Sequence, residues 1–591
     1  MQASLEEHAK LIETARGERP AELFVRGGTI ANVYSGELHP GNVAVTGGLV
    51  AYVGKGEGAV GPETRVIEAD GMVVAPGYVE AHFHPWVLYN PVSIVEGVLP
   101  LGTTTIFADN LFFYMQMGPD GFRTMIEDLK QLPLSYLWMA RLTSQAQFPG
   151  EDEMFALEKV EPLLRRDDVV GTAEVTRWPA LAAGDPNLIA SIRAAKSLGK
   201  IVDGHTGGAS EARLQPVVAA GIDADHEAIT KGEVVSRLRL GVWTMLRNSS
   251  LRPDLPELLR AVTEDGVSTQ RLMMTTDGPS PEFLAEHGLV DGMLRVAVES
   301  GIPPIQALQM VTINPATLFR IDGEVGGIGI GRRADLLLLP DLTTFRPETV
   351  ITQGRVVAEN GELTAPLPRL DWSRYGSRPR FDRGLDLADP TLYPLRASGD
   401  ESEMPVLHLK TAVISERRDA RVRVKDGRVA LDGQQGLLHA ALVDREGAWI
   451  SRALVSGLAG ALQGLASTYN TTSQTLVLGR NPNAMARAAR RVEELGGGIA
   501  IVRDGEVRYE LALPITGMMS ERSFTEVVEW NRRLTRAVTE AGYEHHDVLY
   551  TLLFLTCDFL PSLRLTPLGL LEVKSSRVLI PADKPARPHR I

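Results

Sequence analysis

The sequence predicts an α/β protein: a (β/α)8 barrel, a composite β-sandwich built from both of its flanks, and an additional C-terminal α+β domain. Three observations carry this. From Tyr78 onward, short apolar runs alternate with helix-period segments, which is the signature of parallel strands joined by crossover helices. On either side of that stretch the texture changes to closely spaced β-runs broken by Gly, Asp and Pro. The length, 591 residues, leaves room for a further domain beyond a barrel of about 250.

Taken in order, residues 1–20 read as a polar amphipathic helix closed by Pro20. AELFVRG, TIANVYSG, GNVAVTGGLVAYVGKG and TRVIEADGMVVAPG follow as strands with tight turns, so 1–75 holds the helix and part of the sandwich. The barrel spans 76–322. Its strands are read at YVEAHFH, TTTIFAD, VVGTAEVT, IVDGHTG, IDADHEAIT and RLMMTTDG. Helices are read at GFRTMIEDLKQL, NLIASIRAAKSLG, EARLQPVVAAG, PDLPELLRAVTED and DGMLRVAVESG. The β texture returns over 323–365, the remainder of the sandwich. Residues 366–402 have the Pro, Arg and Asp content of a linker, and 403–591 form the C-terminal domain.

Composition narrows the function. Hydrophobic residues make up 44% and charged residues 23%, with a mean hydropathy of −0.03, which excludes a disordered chain. The net charge of −13 argues against a nucleic-acid binder that works by neutralising phosphates. No apolar run reaches the roughly 18 residues of a membrane span. The N-terminal stretch MQASLEEHAKLIETARGERP lacks the apolar core of a secretory signal. A single cysteine, Cys557, excludes an intramolecular disulfide and a cysteine-based zinc site. The expectation is a cytoplasmic enzyme acting on a small molecule, with no nucleic-acid or membrane partner, and a homo-oligomer by analogy with soluble enzymes generally.

The chemistry gathers at strand ends, where barrel active sites lie. His82 and His84 are two apart on one strand and so face the same way, able to present both imidazoles to one ion. Glu174, His205, His226 and Asp277 end four later strands. Six nitrogen and oxygen ligands of this kind can hold two divalent ions, Zn, Mn or Fe, with one carboxylate shared between ions about 3.5–4 Å apart. Asp277 can both ligate and carry a proton from an activated water to a leaving nitrogen. Glu227, next to His226, is a second catalytic candidate as a proton shuttle or supporting group, or else a plain salt bridge.

With these residues in place, the chain resembles the adenine deaminase family of the metal-dependent amidohydrolase superfamily. The resemblance runs through PGYVEAHFH, LGTTTIFAD, GTAEVTRWPAL, VDGHTGG, AGIDADHE, MMTTDGPSPEFL and TINPATLFRI. It continues into the last domain at GGGIAIVRDGEVRYELALPITGMMS and LRLTPLGLLE. It implies a binuclear centre in which Glu174 takes the bridging position, and deamination of adenine or a related 6-aminopurine. The sequence departs from the family where substrate would be read. Pro85-Trp86-Val87-Leu88 replaces Ile-Glu-Ser-Ser. Asp109-Asn110-Leu111-Phe112 replaces Asp-Pro-His-Glu, and Gly278 replaces a second Asp. Asn470-Thr471-Thr472-Ser473-Gln474 replaces a His-containing stretch. These changes point to a substrate pocket lined by Trp86, Phe112, Phe113 and Tyr114. They also point to an alternative substrate: a larger, more apolar amide, cyclic amide, lactone or carbamate. A non-catalytic metal-binding scaffold is the second alternative, disfavoured by the retention of Asp277.

Overall fold

The computed structural model describes residues 4–381 and 385–584. Eight parallel strands form the barrel: β1 (Tyr78–Phe83), β2 (Thr103–Asp109), β3 (Ser135–Ala140), β4 (Val169–Val175), β5 (Ile201–Gly204), β6 (Ala224–Asp225), β7 (Trp243–Arg247) and β8 (Leu272–Thr275). They pair in chain order. The ring closes between β1 and the end of β8, where the His84 amide donates to the Asp277 carbonyl at 2.8 Å. Sequence reading finds six of these strands. It passes over β3, which is followed by Arg141, and β7, which ends in Arg247, neither of them a metal-binding type.

The alternation of side chains along a strand explains how the barrel makes a site. Ala81, Phe107, Met139, Ala173, Ile201, Ala224, Met245 and Met273, one from each strand, join a single apolar cluster that Leu318 and Phe319 complete. Two residues further along six of these strands come Asp109, Arg141, Asp203, His226, Arg247 and Thr275. One step of the pleat converts the filling of the barrel from apolar to polar.

The two flanks pair in one nine-stranded sheet. Val73–Pro76 from the N-terminal side runs antiparallel to Leu336–Leu339 from the C-terminal side, with Ala75 opposite Leu337. The sandwich expected from the flanks is thus a continuous sheet in its hydrogen bonding. The N-terminal helix runs Leu5–Ala15, started by a capping box between Ser4 and Glu7.

A second nine-stranded sheet begins at Glu401–Leu409 and ends at Glu506–Ala512. Helix Pro482–Glu494 packs on it, and helices Phe524–Glu540 and Val548–Phe554 follow. This domain reaches the barrel mouth. The Ser520 amide donates to the Leu88 carbonyl at 2.7 Å, Asn90 returns a bond to the Ser520 carbonyl at 2.8 Å, and the Tyr550 hydroxyl donates to the Gly278 carbonyl. No helix among the described residues is long and apolar enough to cross a membrane.

Candidate metal centre

The strand ends bring the six expected ligands together, all buried or nearly so. His82 Nε2 and His84 Nε2 lie 3.3 and 2.9 Å from Asp277 Oδ1. On the other side, His205 Nδ1 and His226 Nε2 lie 2.5 and 3.2 Å from Glu174 Oε2. Glu174 Oε1 is 3.6 Å from His84 Nε2. The two oxygens of Glu174 therefore face different imidazoles, Oε1 that of His84 and Oε2 those of His205 and His226.

Much of this polarity lies within ion-pair distance of a neighbour yet makes no well-directed hydrogen bond. Both ring nitrogens of His82, Nδ1 of His84 and of His226, both oxygens of Asp203, Oε1 of Glu227 and Oδ1 of Asp277 are buried without a hydrogen bond. Leaving one such group unsatisfied costs about 1–3 kcal/mol. Their concentration in one place fits a site built for cations, since nitrogen and oxygen donors of this type suit divalent metals. The electrostatics agree. Burial opposes charge on Glu174 and Asp277, yet His205 and Arg141 beside Glu174, and Arg247 and His84 beside Asp277, hold both carboxyls well below the ordinary range.

The backbone contributes as well. Asp277 sits at φ +66°, a left-handed conformation that costs a non-glycine residue about 1 kcal/mol or more. Thr275 fixes the turn: its hydroxyl donates to the His82 carbonyl at 2.7 Å, and its Oγ1 accepts from the Asp277 amide at 3.1 Å. At Gly278 a Cβ would lie 2.9 Å from the His84 Cβ and 3.3 Å from the Tyr550 hydroxyl. Glycine here follows from the close approach of His84, so the family's second Asp has no room.

Several residues that sequence reading gave no role complete the site. Arg141 lies between Asp109 and Glu174, its Nη2 2.5 Å from Glu174 Oε1, and Gln145 donates to the same oxygen at 2.9 Å. Asp203 Oδ2 is 2.8 Å from His82 Nδ1 and 3.7 Å from His226 Nδ1, placed to orient both rings. Arg247 Nη1 reaches Asp277 Oδ2 at 2.8 Å and Glu227 Oε1 at 2.6 Å, and Arg252 holds Glu227 Oε2 at 2.9 Å. Burial works against ionisation of Glu227, but Arg247, His205 and Arg252 outweigh it and hold the carboxyl far below its ordinary range. Arg247 and Arg252 thus hold Glu227 beside the cluster from two sides.

The four expected pocket aromatics divide. Trp86 packs on His84 with ring centroids 4.7 Å apart, and Phe112 meets Trp86 edge-on at 5.1 Å. Phe113 turns toward Phe122 and Trp138, and the Tyr114 hydroxyl donates to the Met154 carbonyl at 2.9 Å. Consecutive residues of the helix Leu111–Leu129 point about 100° apart, so the three cannot share one wall. Phe113 also meets Trp86, with centroids 6.3 Å apart, whereas Tyr114 is directed away toward Met154 and Phe155. On the opposite side Phe559 from the C-terminal domain stands edge-on to His205 at 5.2 Å. The Asn470–Gln474 stretch supports that segment from behind: Thr471 Oγ1 and Thr556 Oγ1 are hydrogen-bonded at 2.7 Å.

Comparison with known proteins matches residues 73–357 to the amidohydrolase family and residues 412–577 to the adenine deaminase C-terminal domain. The chain is 33% identical to an adenine deaminase of Paracoccus denitrificans, over 96% of this chain and 96% of that protein. It is 35% identical to an adenine deaminase of Rubrobacter xylanophilus, over 95% of each. The chain belongs to the adenine deaminase family of amidohydrolases. It is accordingly a hydrolase of carbon–nitrogen bonds, and the buried His, Asp and Glu cluster at the barrel mouth is the candidate metal centre of this family member.

Proposed function

We propose that this chain hydrolyses the exocyclic carbon–nitrogen bond of adenine, or of a closely related 6-aminopurine, and releases ammonia. The observation that carries the reading is the Glu174 carboxylate, whose Oε1 faces His84 and whose Oε2 faces His205 and His226, with His82 stacked on His226 beside it. Asp277 groups with His82 and His84. These six residues would hold two divalent ions, with Glu174 between them; Zn, Mn and Fe(II) all suit the donor set. When bound, such a pair supplies a Lewis acid and an acidified water.

The chain's own groups then divide the work. Arg247 anchors Asp277 through Oδ2, which leaves Oδ1 directed into the cluster. That atom takes the proton of the attacking water and delivers it to the departing nitrogen, so that water adds at the ring carbon as ammonia leaves. Asp203 keeps the rings of His82 and His226 in place. Trp86 and Phe559 close two sides of the cluster with apolar surface, which limits bulk water.

Trp86 also favours a second reading. It stands where the family carries polar residues, and a larger, more apolar amide, lactone or carbamate would suit that wall. One experiment separates the two. Protein loaded with Mn, Zn or Fe(II) is given adenine, and ammonia is measured. Release from adenine faster than turnover of any apolar amide or ester supports deamination. No release from adenine, with turnover of an amide or ester, supports the second reading.

A further inference from the structure

A second constellation lies in the C-terminal domain, with no contact to the metal cluster among the described residues. A cavity of about 410 Å³ opens between the Arg428–Ala430 strand, the 431–433 turn and the start of helix Pro482–Glu494. Its charged and polar lining is Arg428, Arg480, His439 and Asp432.

Three features of this lining stand out. His439 is 2% exposed, and among the described residues its buried Nδ1 has no hydrogen-bond partner. Burial, and after it the charge of Arg480, push its pKa down to about 4, so the ring is neutral. Arg480 is pinned by three carbonyls, those of Gln434 at 2.6 Å, Leu437 at 2.9 Å and Leu431 at 3.1 Å. A guanidinium has five N–H groups, so Nε and one hydrogen of Nη2 remain free on a rigidly held cation. Arg428 has a buried, unpartnered Nε, and among the described residues its guanidinium has no carboxylate within ion-pair distance. Asp432 is exposed at the rim and pairs with neither arginine.

Two guanidiniums without counter-charges are anomalous in a chain of net charge −13. Leaving buried donors unpaired is costly, and fixed guanidiniums match the oxygens of phosphate. The amino end of helix Pro482–Glu494 adds to the positive field, although Asn481 already caps its first amides. Val429, Leu431 and Pro394 give the cavity an apolar wall, and its volume exceeds what a bare anion fills. We infer that this cavity binds a phosphate group, free or as the monoester of a small molecule, through Arg428, Arg480 and His439.

The test is calorimetric titration of the full-length, metal-loaded protein with inorganic phosphate and, separately, with glycerol phosphate. The variants are Arg428→Ala and His439→Leu. The expected result is saturable binding of one equivalent per chain, weakened about tenfold or more in each variant, as loss of a charge-assisted contact requires. Tighter binding of glycerol phosphate would assign the site to a monoester, and equal or tighter binding of inorganic phosphate to the free anion. Absence of saturable binding would overturn the inference. So would binding unaltered in both variants, because it would then lie elsewhere, for instance at the metal centre. Should His439→Leu fail to fold, Arg428→Ala, on a partly exposed side chain whose buried Nε has no partner among the described residues, decides alone.

Discussion

Asp277 carries the densest set of roles of any single side chain. It sits at a positive φ, faces two imidazoles through one oxygen and is anchored by Arg247 through the other. Asp277→Asn keeps the shape and removes the proton acceptor. We expect turnover to fall by about 10²-fold or more while the circular dichroism spectrum stays that of the wild type. A variant with wild-type rates would show that the proton passes through another group. His439 yields a prediction about stability. Its pKa is lowered from 6.5 to about 4 on folding, so its contribution is complete above pH 6.5 and is lost as pH falls toward 4. The shift corresponds to about 3 kcal/mol at most. Denaturant midpoints measured across this window should fall more steeply for the wild type than for His439→Gln, and parallel curves would contradict the assignment.

At the scale of elements, the legible part of the site follows from one rule. His82 and His84 share a strand face, and each later ligand ends a strand, so periodicity and punctuation are enough to find them. Arg141, Asp203 and Arg247 obey the same rule, each two residues beyond an inward apolar side chain. They escape a search keyed to metal ligands because two of them are cations. Sequence reading also places the β-runs of both flanks, but not their pairing through Val73–Pro76 and Leu336–Leu339, since register over such distances has no local signature. Among the aromatics, Phe112 and Phe113 both meet Trp86, while Tyr114, one step further round the helix, is directed elsewhere. Arg141 supplies the prediction proper to this scale. Its guanidinium ties the end of β3 to Asp109 and to Glu174 at the end of β4. Arg141→Gln should weaken metal affinity about 10–100-fold, read by competition with a chelator, as expected for a residue that positions a ligand. Unchanged affinity would reduce Arg141 to a structural brace.

For the whole molecule, the C-terminal domain forms part of the barrel mouth. Its Asp558 accepts from Arg177 at 2.9 Å and from the Gln147 amide at 2.8 Å, and Phe559 beside it reaches His205. The domain thus contributes shape to the site, while the proposed ligands all come from the barrel. The substituted Asn470–Gln474 stretch serves this arrangement by packing, with Asn470, Thr471 and Ser473 fully buried. The central claim is a binuclear centre organised by Glu174, and the metal content of the purified chain tests it most directly. After expression in medium supplemented with Mn or Zn, elemental mass spectrometry should find about two equivalents per wild-type chain, as six converging ligands imply, and fewer than about one in Glu174→Gln. A wild-type chain with one equivalent or none, or a Glu174→Gln chain that still holds two, would contradict it.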